Sequence, residues 1–405
     1  MLEHKDISKY VPQGMETREY QCRIIASVIN DFTKGYKSIL IESPTGSGKS
    51  LMGLVALKIM QKLNPGVKIN WVAMRRKLLS QAENENKKVG VTDIQYVSMF
   101  DKNPPKADIL CIDEGHHSAA ATMASLIEII GAKKILSLTA TPFRSDRVRL
   151  SFERIVSDCG VRFLIEQNYL SQFDSYIIPK YIPEEIAKQL LINPEHWGKS
   201  VCFFRTAEEC FELESLLLNG GVFGAVMLGS DSMEKRNRMF DDFDNGDIQV
   251  LINMQLLIEG FDCCDLRSVF VRDSNKLVTL QMAGRSLRKD PNNKAKIANI
   301  IQSSNTYWPY QKCVKIRARK QYLWKDEKWQ ALEASDRAFR VMRKTRQNIM
   351  ANPAKLPQYL TDKTQQISTI RVTAKGKIVT ANRSNAKEPD VDFFGDNERF
   401  QNGNS

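Results

Sequence analysis

One stretch, residues 43–50, constrains the fold of this chain more than any other feature of the sequence. It reads Ser-Pro-Thr-Gly-Ser-Gly-Lys-Ser, it follows the apolar run 39–41, and it precedes a helix-like stretch over residues 51–63. A glycine-rich turn between a strand and a helix points successive backbone N–H groups toward phosphate oxygens. The stretch is therefore predicted to be the phosphate-binding loop of an α/β nucleotide-binding domain. The alternative is a chance Gly/Ser turn in front of a helix.

The residues of this loop have different tasks. Gly46 and Gly48 let the backbone turn tightly, because glycine has no Cβ atom. The Lys49 ammonium group adds positive charge at the terminal phosphates, and the Ser50 hydroxyl can bind Mg²⁺. The set expected to contact ATP is Thr45, Gly46, Ser47, Gly48, Lys49 and Ser50. Ser43 departs from the common pattern, which has glycine at that position.

A pair of acidic residues at the end of another apolar run is predicted to complete the site. Residues 107–112 lead directly into Asp113 and Glu114. Asp113 would hold Mg²⁺, and Glu114 would orient or deprotonate the attacking water. The alternative for a lone acidic pair is solvated surface charge. His116 and His117 follow, but no further cluster of Cys or His lies nearby, so zinc is not expected.

Together with motifs further along the chain, the acidic pair resembles motif two of the DExH-type superfamily two helicases. Residues 138–142 look like motif three, residues 259–262 like motif five, and residues 281–288 like motif six. The resemblance extends over residues 16–305 and is strongest to compact phage, XPB-like and UvsW-like DNA helicases. It implies two tandem RecA-like domains, which are P-loop NTPase domains with parallel sheets flanked by helices. It also implies ATP hydrolysis with Mg²⁺ that nucleic acid stimulates.

Motif six contains two arginines that are three residues apart. On a predicted helix, Arg285 and Arg288 would lie on one face, from which guanidinium groups could reach a nucleotide bound by another lobe. The resemblance implies that Arg288 is an arginine finger, which stabilises charge on the transferred phosphoryl group, and that Arg285 is its partner. It also implies nucleotide contacts for Gly260, Asp262 and Gln281, and coupling of hydrolysis to nucleic-acid grip for His116, Thr139 and Thr141.

Residues 17–21, upstream of the phosphate loop, resemble the adenine-recognition motif of the same family. The Gln21 side-chain amide offers donor and acceptor groups, which is what discrimination of adenine requires. Gln21 is therefore predicted to bind the adenine edge. The alternative is an ordinary helix start, with Thr17 as the N-cap and Gln21 at a solvated position.

Apolar runs that alternate with helical stretches predict two parallel sheets. The runs of the first sheet are 39–41, 69–74, 94–97, 109–112 and 135–138, and those of the second are 201–204, 222–228, 248–252, 269–271 and 297–301. The predicted division is an N-terminal RecA-like ATP-binding domain over 1–165, a second RecA-like domain over 166–310, a basic helical extension over 311–350 and a flexible tail over 351–405. Residues 166–186 are predicted to be the linker.

Basic and hydroxyl side chains that follow predicted strands are candidate contacts to nucleic acid. Arg75 and Arg76 follow the run 69–74, at a place that resembles motif Ia. Arg205 and Thr206 follow the run 201–204 and resemble motif four, and the alternative for them is a helix cap. Such side chains would hold backbone phosphates and position the strand without reading its bases.

The formal net charge of +12 is concentrated in one stretch of the sequence. Residues 312–346 contain twelve Lys/Arg and four Asp/Glu, interleaved with Tyr322, Trp324 and Trp329. Cations neutralise phosphates and aromatic rings stack on bases, so Arg319 and Trp324 are candidate nucleic-acid contacts. The alternative is a helix whose apolar face packs the tryptophans onto the second domain while its basic face is solvated.

Composition narrows the class of protein. Eight cysteines are scattered without a Cys-x-x-Cys pair, so they are predicted to be reduced core residues, and an iron–sulfur cluster is not expected. No signal peptide or membrane span is recognisable, which predicts a cytoplasmic protein, in the host cytoplasm if it is phage-encoded. A monomer is expected, and the acidic, aromatic segment 390–400 is a candidate site for a protein partner.

The sequence favours an ATP-driven helicase or translocase on nucleic acid, with DNA favoured over RNA. Three alternatives stay open. They are a duplex-DNA translocase subunit of a restriction or remodelling complex that does not separate strands, an RNA helicase, and a non-enzymatic, nucleotide-gated nucleic-acid clamp. The intact set of catalytic residues argues against the clamp.

Overall fold

The computed structural model describes residues 2–12, 14–15, 17–114, 120–140, 152–254, 256–258, 263–332, 371–372 and 378–379. The chain divides into two compact units, Met1–Gln330 and Ala331–Ser405. The first unit contains two sheets of mainly parallel strands flanked by helices, which confirms the predicted α/β class. Within the described residues, no helix is both long and apolar enough to cross a membrane.

Lobe one is the part of the first unit that precedes the second sheet. Its strands are β1 (Ser38–Glu42), β2 (Ile69–Ala73), β3 (Ile94–Ser98), β4 (Ile109–Asp113), β5 (Lys134–Thr139) and β6 (Arg154–Val156). Its helices are α1 (Glu19–Thr33), α2 (Lys49–Leu63), α3 (Arg76–Val89), α4 (Ala120–Ile130) and α5 (Val161–Glu166), with a 3₁₀ helix at His4–Tyr10. Neighbouring strands pair in parallel in the order β3-β2-β4-β5-β1-β6.

The central strands of this sheet are buried along their whole length, because helices cover both faces of a parallel sheet. Helix α2 packs closely on the sheet at Gly53, where a Cβ atom would lie 2.9 Å from the Leu138 side chain and 3.3 Å from that of Trp71. All five strands predicted for this lobe are confirmed. Strand β6 was not predicted, because three residues are too few to show a pattern.

Lobe two contains the second sheet. Its strands are β7 (Phe173–Ile178), β8 (Ser200–Phe203), β9 (Gly224–Met227), β10 (Val250–Asn253), β11 (Ser268–Phe270), β12 (Ala298–Ser303), β13 (Gln321–Lys325) and β14 (Lys328–Ala331). Its helices are α6 (Pro183–Ile192), α7 (Pro194–Trp197), α8 (Ala207–Asn219), α9 (Met233–Asn245), α10 (Lys276–Gly284) and α11 (Tyr310–Val314), with a 3₁₀ helix at Leu256–Ile258. The strand order is β14-β13-β7-β12-β11-β8-β10-β9. In the second unit, β15 (Arg371–Val372) pairs antiparallel with β16 (Ile378–Val379).

The five strands predicted for lobe two are confirmed as β8 to β12. Two of the helical stretches that alternate with these strands are α8 and α9. All cysteines except Cys264 are buried, as predicted for reduced core residues. The pattern of apolar runs was therefore sufficient for the strands whose residues are almost all apolar.

The predicted linker over residues 166–186 is wrong in its extent. Strand β7 lies inside it and pairs in parallel with both β12 and β13. An aspartate and a serine interrupt its apolar residues, which hid the strand from a search for apolar runs. The Asp174 carboxylate is buried. Its burial is tolerated because it accepts hydrogen bonds from Arg319 Nη2 at 2.6 Å, from Arg319 Nε at 3.1 Å and from the Lys320 N–H at 3.0 Å. Partners far along the chain therefore make this segment a strand.

We expect Asp174→Asn to destabilise lobe two by about 2 kcal/mol, because the Arg319 guanidinium would lose its counter-charge. Urea unfolding followed by tryptophan fluorescence measures this change. The signal comes mainly from lobe two, which contains Trp197, Trp308, Trp324 and Trp329.

The matched control is Asp158→Asn, which removes the same charge from the more exposed ion pair with Arg23. An exposed pair contributes about 0.5 kcal/mol or less, so the control should barely move the unfolding midpoint. Equal, small shifts for the two variants would show that the buried pair does not stabilise the lobe.

The predicted helical extension over residues 311–350 is wrong where β13 and β14 occur. These neighbouring strands are joined by residues 326–327, whose φ angles are +51° and +56°. Two successive positive φ angles are typical of the tight turn that joins paired strands. Residues 333–350 lie outside the described residues.

The aromatic residues of this extension pack into lobe two. Trp324 is only 6% exposed, its ring centroid is 5.2 Å from that of Trp329, and Tyr322 stacks on Tyr176 with centroids 4.8 Å apart. Trp324 is therefore a core residue and does not offer a free face to a base. The alternative that the tryptophans pack onto lobe two is right, although strands rather than a helix carry them. The spacing of Tyr322 and Trp324 by two residues is the signal that favours a strand.

Candidate active site

The phosphate loop lies between β1 and α2, as predicted. Gly46 and Gly48 have φ angles of +81° and +80°, in the left-handed region that favours glycine. Helix α2 begins at Lys49 with Gly48 as its N-cap, so the positive end of the helix dipole faces the loop. A Cβ atom at Gly48 would lie 2.6 Å from Gln21 Nε2. The loop thus has the backbone conformation and the polarity that suit a phosphate group.

Two side chains of helix α1 form hydrogen bonds to the phosphate loop. The Tyr20 hydroxyl donates to the Ser47 carbonyl at 2.7 Å, and Gln21 Nε2 donates to the same oxygen at 2.8 Å. Gln21 Oε1 accepts from the N–H of Arg18, the N-cap of α1, at 2.9 Å. The alternative of a solvated Gln21 capped by Thr17 is wrong, because Gln21 is buried and Arg18 is the N-cap. The adenine contact of Gln21 stays a prediction.

The start of the loop is joined to the end of β5. The N–H of Ser43 donates to the Thr139 carbonyl at 3.0 Å, and Ser43 Oγ lies 3.6 Å from Cys159 Sγ. Both Ser43 and Thr139 are fully buried. A shift of the segment that resembles motif three would therefore also move the start of the phosphate loop. Thr141 lies outside the described residues.

The acidic pair lies at the carboxyl end of β4, beside the loop. Burial, together with the nearby Glu114 carboxylate, raises the pKa of Asp113 to about 7, and the Lys49 ammonium group opposes that rise. Glu114 has a φ of +52°, and its Oε1 atom lies 3.7 Å from Lys49 Nζ. A non-glycine residue in the left-handed region is strained, and such strain is concentrated at functional sites. The arrangement places two carboxyl groups and one ammonium group around the start of α2.

The prediction that one helix face carries both arginines of motif six is wrong. Helix α10 ends at Gly284, Arg285 is its C-cap, and Arg288 forms an isolated antiparallel bridge with Leu170. The backbone of Arg288 therefore runs beside the segment that leads from lobe one into lobe two. Glycine at position 284 and the residues after it end the helix before the second arginine.

Lobe two contacts the phosphate loop directly. A Cβ atom at Gly46 would lie 2.9 Å from the Leu170 side chain and 3.7 Å from Arg288 Cγ. A Cβ atom at Gly284 would lie 3.4 Å from Thr45 Cβ. Desolvation lowers the pKa of the Arg288 guanidinium to about 10, so the group stays charged at neutral pH. The tip of the loop and the segment 284–288 thus pack against each other.

A buried lysine that the sequence analysis missed holds the backbone of Arg288. Lys296 Nζ donates to the Arg288 carbonyl at 2.7 Å and to the Cys264 carbonyl at 2.5 Å. Ser171 Oγ donates to the same Arg288 oxygen at 3.3 Å. Burial lowers the pKa of Lys296 to about 8. No sequence signal marks this residue, because it is one of several charged residues in a polar loop.

The remaining predicted site residues divide into two groups. Gln281 is buried on α10, and Ser50 is the second residue of α2. Outside the described residues lie His116, Thr141, Gly260 and Asp262. The roles of all these residues stay predictions.

Three arginines proposed to contact nucleic acid have partners within the protein. Arg75, the N-cap of α3, donates from Nη1 to the Leu256 carbonyl of lobe two at 2.8 Å, and Arg76 is the first residue of that helix. Arg205 donates from Nη2 to the Asp273 carbonyl at 3.1 Å. The guanidinium of Arg319 is bound to the buried Asp174, so its charge is used inside lobe two. Arg75 is thus a direct link between the lobes.

Thr206 is the N-cap of α8. Its Oγ1 atom accepts from the Glu209 N–H at 3.2 Å, and Glu209 Oε2 accepts from the Thr206 N–H at 3.0 Å. This reciprocal pair is a capping box, which satisfies two N–H groups at the helix start. The alternative of a helix cap is therefore confirmed for Thr206.

Two parallel-sheet lobes meet at a phosphate loop, with an acidic pair on one side and an arginine segment on the other. This arrangement defines the class of P-loop NTPases with two tandem RecA-like domains. The sequence matches the family model of the Type III restriction enzyme, res subunit, over residues 14–99 and 83–144, and that of the helicase conserved C-terminal domain over residues 183–290. The chain belongs to the DExH-type superfamily two helicases.

The relatives are distant in sequence. A helicase-named protein of the Sulfolobus islandicus filamentous virus (isolate Iceland/Hveragerdi) is 24% identical over 376 residues, which cover 73% of this chain and 66% of that protein. The irc3 protein of Schizosaccharomyces pombe, named as a mitochondrial ATP-dependent helicase, is 23% identical over 335 residues, which cover 68% of this chain and 55% of that protein. This chain therefore matches less than two thirds of the length of either relative.

A solved structure shares the fold. It is that of the ATP-dependent Type ISP restriction-modification enzyme LlaBIII bound to DNA, with a TM-score of 0.57 and 14% sequence identity. The match covers 72% of this chain and 28% of that protein. At this level of identity the likeness concerns the fold alone.

Proposed function

We propose that this protein is an ATP-dependent helicase or translocase that acts on DNA and hydrolyses ATP to ADP and phosphate in the cleft between its two lobes. The observation that carries the proposal is the contact of the phosphate loop with segment 284–288, through Gly46 and Arg288 and through Thr45 and Gly284. Because the loop of lobe one contacts this segment of lobe two, binding and release of ATP would change the contact between the lobes. Nucleic acid held across the lobes would then move stepwise.

The residues of the loop fit the phosphates of a nucleoside triphosphate. The loop has glycine at its two left-handed positions, and the Ser47 hydroxyl has no hydrogen-bond partner among the described residues. Lys49 would neutralise the terminal phosphates. Ser50 and Asp113 provide the hard oxygen ligands that Mg²⁺ prefers, and they would hold this ion, which neutralises phosphate charge when bound. The predicted cofactors are therefore ATP as substrate and Mg²⁺.

The acidic pair and motif six would share the chemistry. Glu114 would orient or deprotonate the attacking water, since its carboxylate already lies beside Lys49 at the end of the loop. Arg288 would stabilise the charge that develops on the transferred phosphoryl group, with Arg285 as its partner. Thr139, whose carbonyl is bonded to Ser43, would pass changes at the nucleotide to the nucleic-acid surface.

Three observations support nucleic acid as the partner, and the first of them favours DNA. The fold neighbour LlaBIII is described as bound to DNA. The net charge of +12 favours a polyanion. Arg75, Arg76 and Arg205 follow the carboxyl ends of β2 and β8, where side chains can hold the sugar-phosphate backbone.

A translocase that does not separate strands is the second candidate. The match of lobe one to the Type III restriction enzyme, res subunit, favours it. Such a motor would hydrolyse ATP on duplex DNA without displacing a strand. A strand-displacement assay run beside the ATPase assay separates the two candidates.

The test of the proposal is a panel of ATP hydrolysis rates without nucleic acid and with single-stranded DNA, duplex DNA, forked DNA and RNA. We expect DNA to stimulate turnover strongly and the stimulating form to identify the track. No turnover with any polymer would overturn the proposal and leave the nucleotide-gated clamp. Stimulation by RNA alone would replace DNA with RNA as the partner.

Lys296→Met is expected to lower the kcat of ATP hydrolysis about tenfold, because small displacements of catalytic groups have large kinetic effects. The ammonium group of Lys296 fixes the carbonyl of Arg288. Methionine keeps an unbranched side chain that is only one atom shorter, but it cannot donate a hydrogen bond. The Kd for ATP should change little. Steady-state kinetics and equilibrium binding of a fluorescent ATP analogue measure the two quantities.

The matched control for this variant is Lys199→Met. Lys199 is also partly buried. It donates to the Asp244 carbonyl of lobe two at 2.9 Å and forms an ion pair with Asp265 at 2.6 Å. Among the described residues it has no bond to motif six, so the control should keep its turnover. A similar loss in both variants would assign the effect of Lys296 to general destabilisation of lobe two.

A further inference from the structure

Three neighbouring strands of lobe two, β8, β11 and β12, have their carboxyl ends side by side at the same end of the sheet. Strand β11 pairs in parallel with both of the others. The chain that leaves these strands carries Arg205, Asp273 and Tyr307, respectively. Loops at this edge of a parallel sheet are where binding residues are usually found.

Asp273 joins the three loops into one surface. Its Oδ1 atom accepts from the Tyr307 N–H at 2.8 Å. Its backbone carbonyl accepts from Arg205 Nη2 at 3.1 Å. Arg205 Nη2 also lies 4.0 Å from Asp273 Oδ2, in an exposed ion pair, and the Arg205 side chain remains 65% exposed to solvent. A candidate phosphate contact and a tyrosine from distant parts of the sequence are thus held by one residue.

Two aromatic rings and a cation occupy this surface. Tyr307 is 68% exposed, and its ring lies edge-on to that of Trp308 with centroids 5.4 Å apart. Lys312, on α11, places its Nζ atom 4.9 Å from the Trp308 centroid and 5.6 Å from the Tyr307 centroid. Lys315 and Arg317 are also exposed and continue the positive charge along the chain.

We propose that Tyr307 and Trp308 form a stacking platform for a base of single-stranded nucleic acid, while Lys312 and Arg205 hold the flanking phosphates. The proposal rests on the proposed function and extends it with a binding site. An exposed aromatic ring beside cations suits a nucleotide, which has both a flat apolar base and an anionic backbone. In this proposal Tyr307 and Trp308 take the stacking role that the sequence indicated for Trp324, because the fold buries Trp324.

The chemistry of this surface favours a strand with unpaired bases. In a duplex the flat faces of the bases are covered by their neighbours, so an exposed ring has no partner there. A base stacked on an aromatic ring contributes regardless of its identity, because every base has a π-face. The platform should therefore bind single strands without sequence preference, as a motor that moves along DNA requires.

The experiment compares the full chain with Tyr307→Ala and with Phe223→Ala. Phe223 is a matched control, since it is 64% exposed and lies at the opposite end of the strands, directly before the amino end of β9. Fluorescence anisotropy at one fixed salt concentration gives the Kd for an oligothymidine strand and for an abasic strand of the same length. Circular dichroism and thermal melting check that each variant is folded.

We expect Tyr307→Ala to raise the Kd for oligothymidine about tenfold and to leave the Kd for the abasic strand nearly unchanged, because stacking needs the base. Phe223→Ala should bind both strands like the unaltered chain. An unchanged affinity of Tyr307→Ala for oligothymidine, or an equal loss for both strands, would overturn the platform. If the unaltered chain binds neither strand and DNA does not stimulate its ATPase, the proposed function fails as well.

Discussion

Arg288→Ala is expected to lower the kcat of ATP hydrolysis by about a thousandfold, which is the lower end of the effect of an arginine finger. The Kd for ATP should stay within about threefold of its original value, because the guanidinium acts mainly on charge that develops in the transition state. The structural basis is the position of Arg288, whose side chain passes Gly46 at the tip of the phosphate loop. Single-turnover hydrolysis and equilibrium nucleotide binding measure the two quantities separately.

The control for this variant is Arg236→Ala, which removes another arginine of lobe two. Arg236 donates to the carbonyls of Asp231 and Gly229 and has no described contact with the phosphate loop. It should keep its kcat. If Arg288→Ala hydrolyses ATP at a rate within about threefold of the unaltered chain, Arg288 is not the finger. An equal loss in ATP affinity would instead assign the residue to nucleotide binding.

The second large effect is expected for Glu114→Gln, which should lower kcat by about 10² to 10³. Glutamine has nearly the same shape as glutamate, but it cannot accept a proton from the attacking water. ATP binding should be kept and should become tighter, because the like-charge repulsion between the carboxylate and the phosphates is removed. The assay is ATP hydrolysis in the presence of the most stimulating nucleic acid, beside equilibrium binding of a labelled, non-hydrolysable analogue.

The control is Glu83→Gln on the exposed surface of α3, which removes the same charge away from the loop. It should keep both turnover and ATP binding. Loss of ATP binding in Glu114→Gln would mean that this residue holds the structure of the site, because Lys49 Nζ lies 3.7 Å from its carboxylate. If turnover is retained, another residue acts as the general base.

The two effects differ in the lobe that they disable. Glu114 belongs to lobe one and lies beside Lys49, whereas Arg288 belongs to lobe two and lies beside Gly46 of the same loop. If hydrolysis depends on closure of the cleft, a nucleic acid that stimulates the unaltered chain should no longer stimulate Arg288→Ala. Glu114→Gln should still bind that nucleic acid with ATP present, since its cleft can close around the unhydrolysed nucleotide.

The sequence allowed the phosphate loop and the position of the acidic pair to be predicted. The phosphate loop was recognisable because its glycines occupy positions with positive φ, which few other residues adopt. The acidic pair was recognisable because it ends a strand that is apolar along its length. The sequence was misleading for motif six, where a spacing of three residues indicated a helix but Gly284 ends it.

Local pattern by itself determined the α/β class, the two sheets and the position of the phosphate loop, since buried parallel strands need apolar runs and a tight turn needs glycine. The tertiary structure alone decided the places of β7, Arg319, Trp324 and Lys296. In each case contacts made in the folded chain decide the place of the group, as with Asp174 of β7, which is buried against Arg319, 145 residues away. A buried charge is tolerated only when such a partner is present, and a sequence does not show which distant residues the fold brings together.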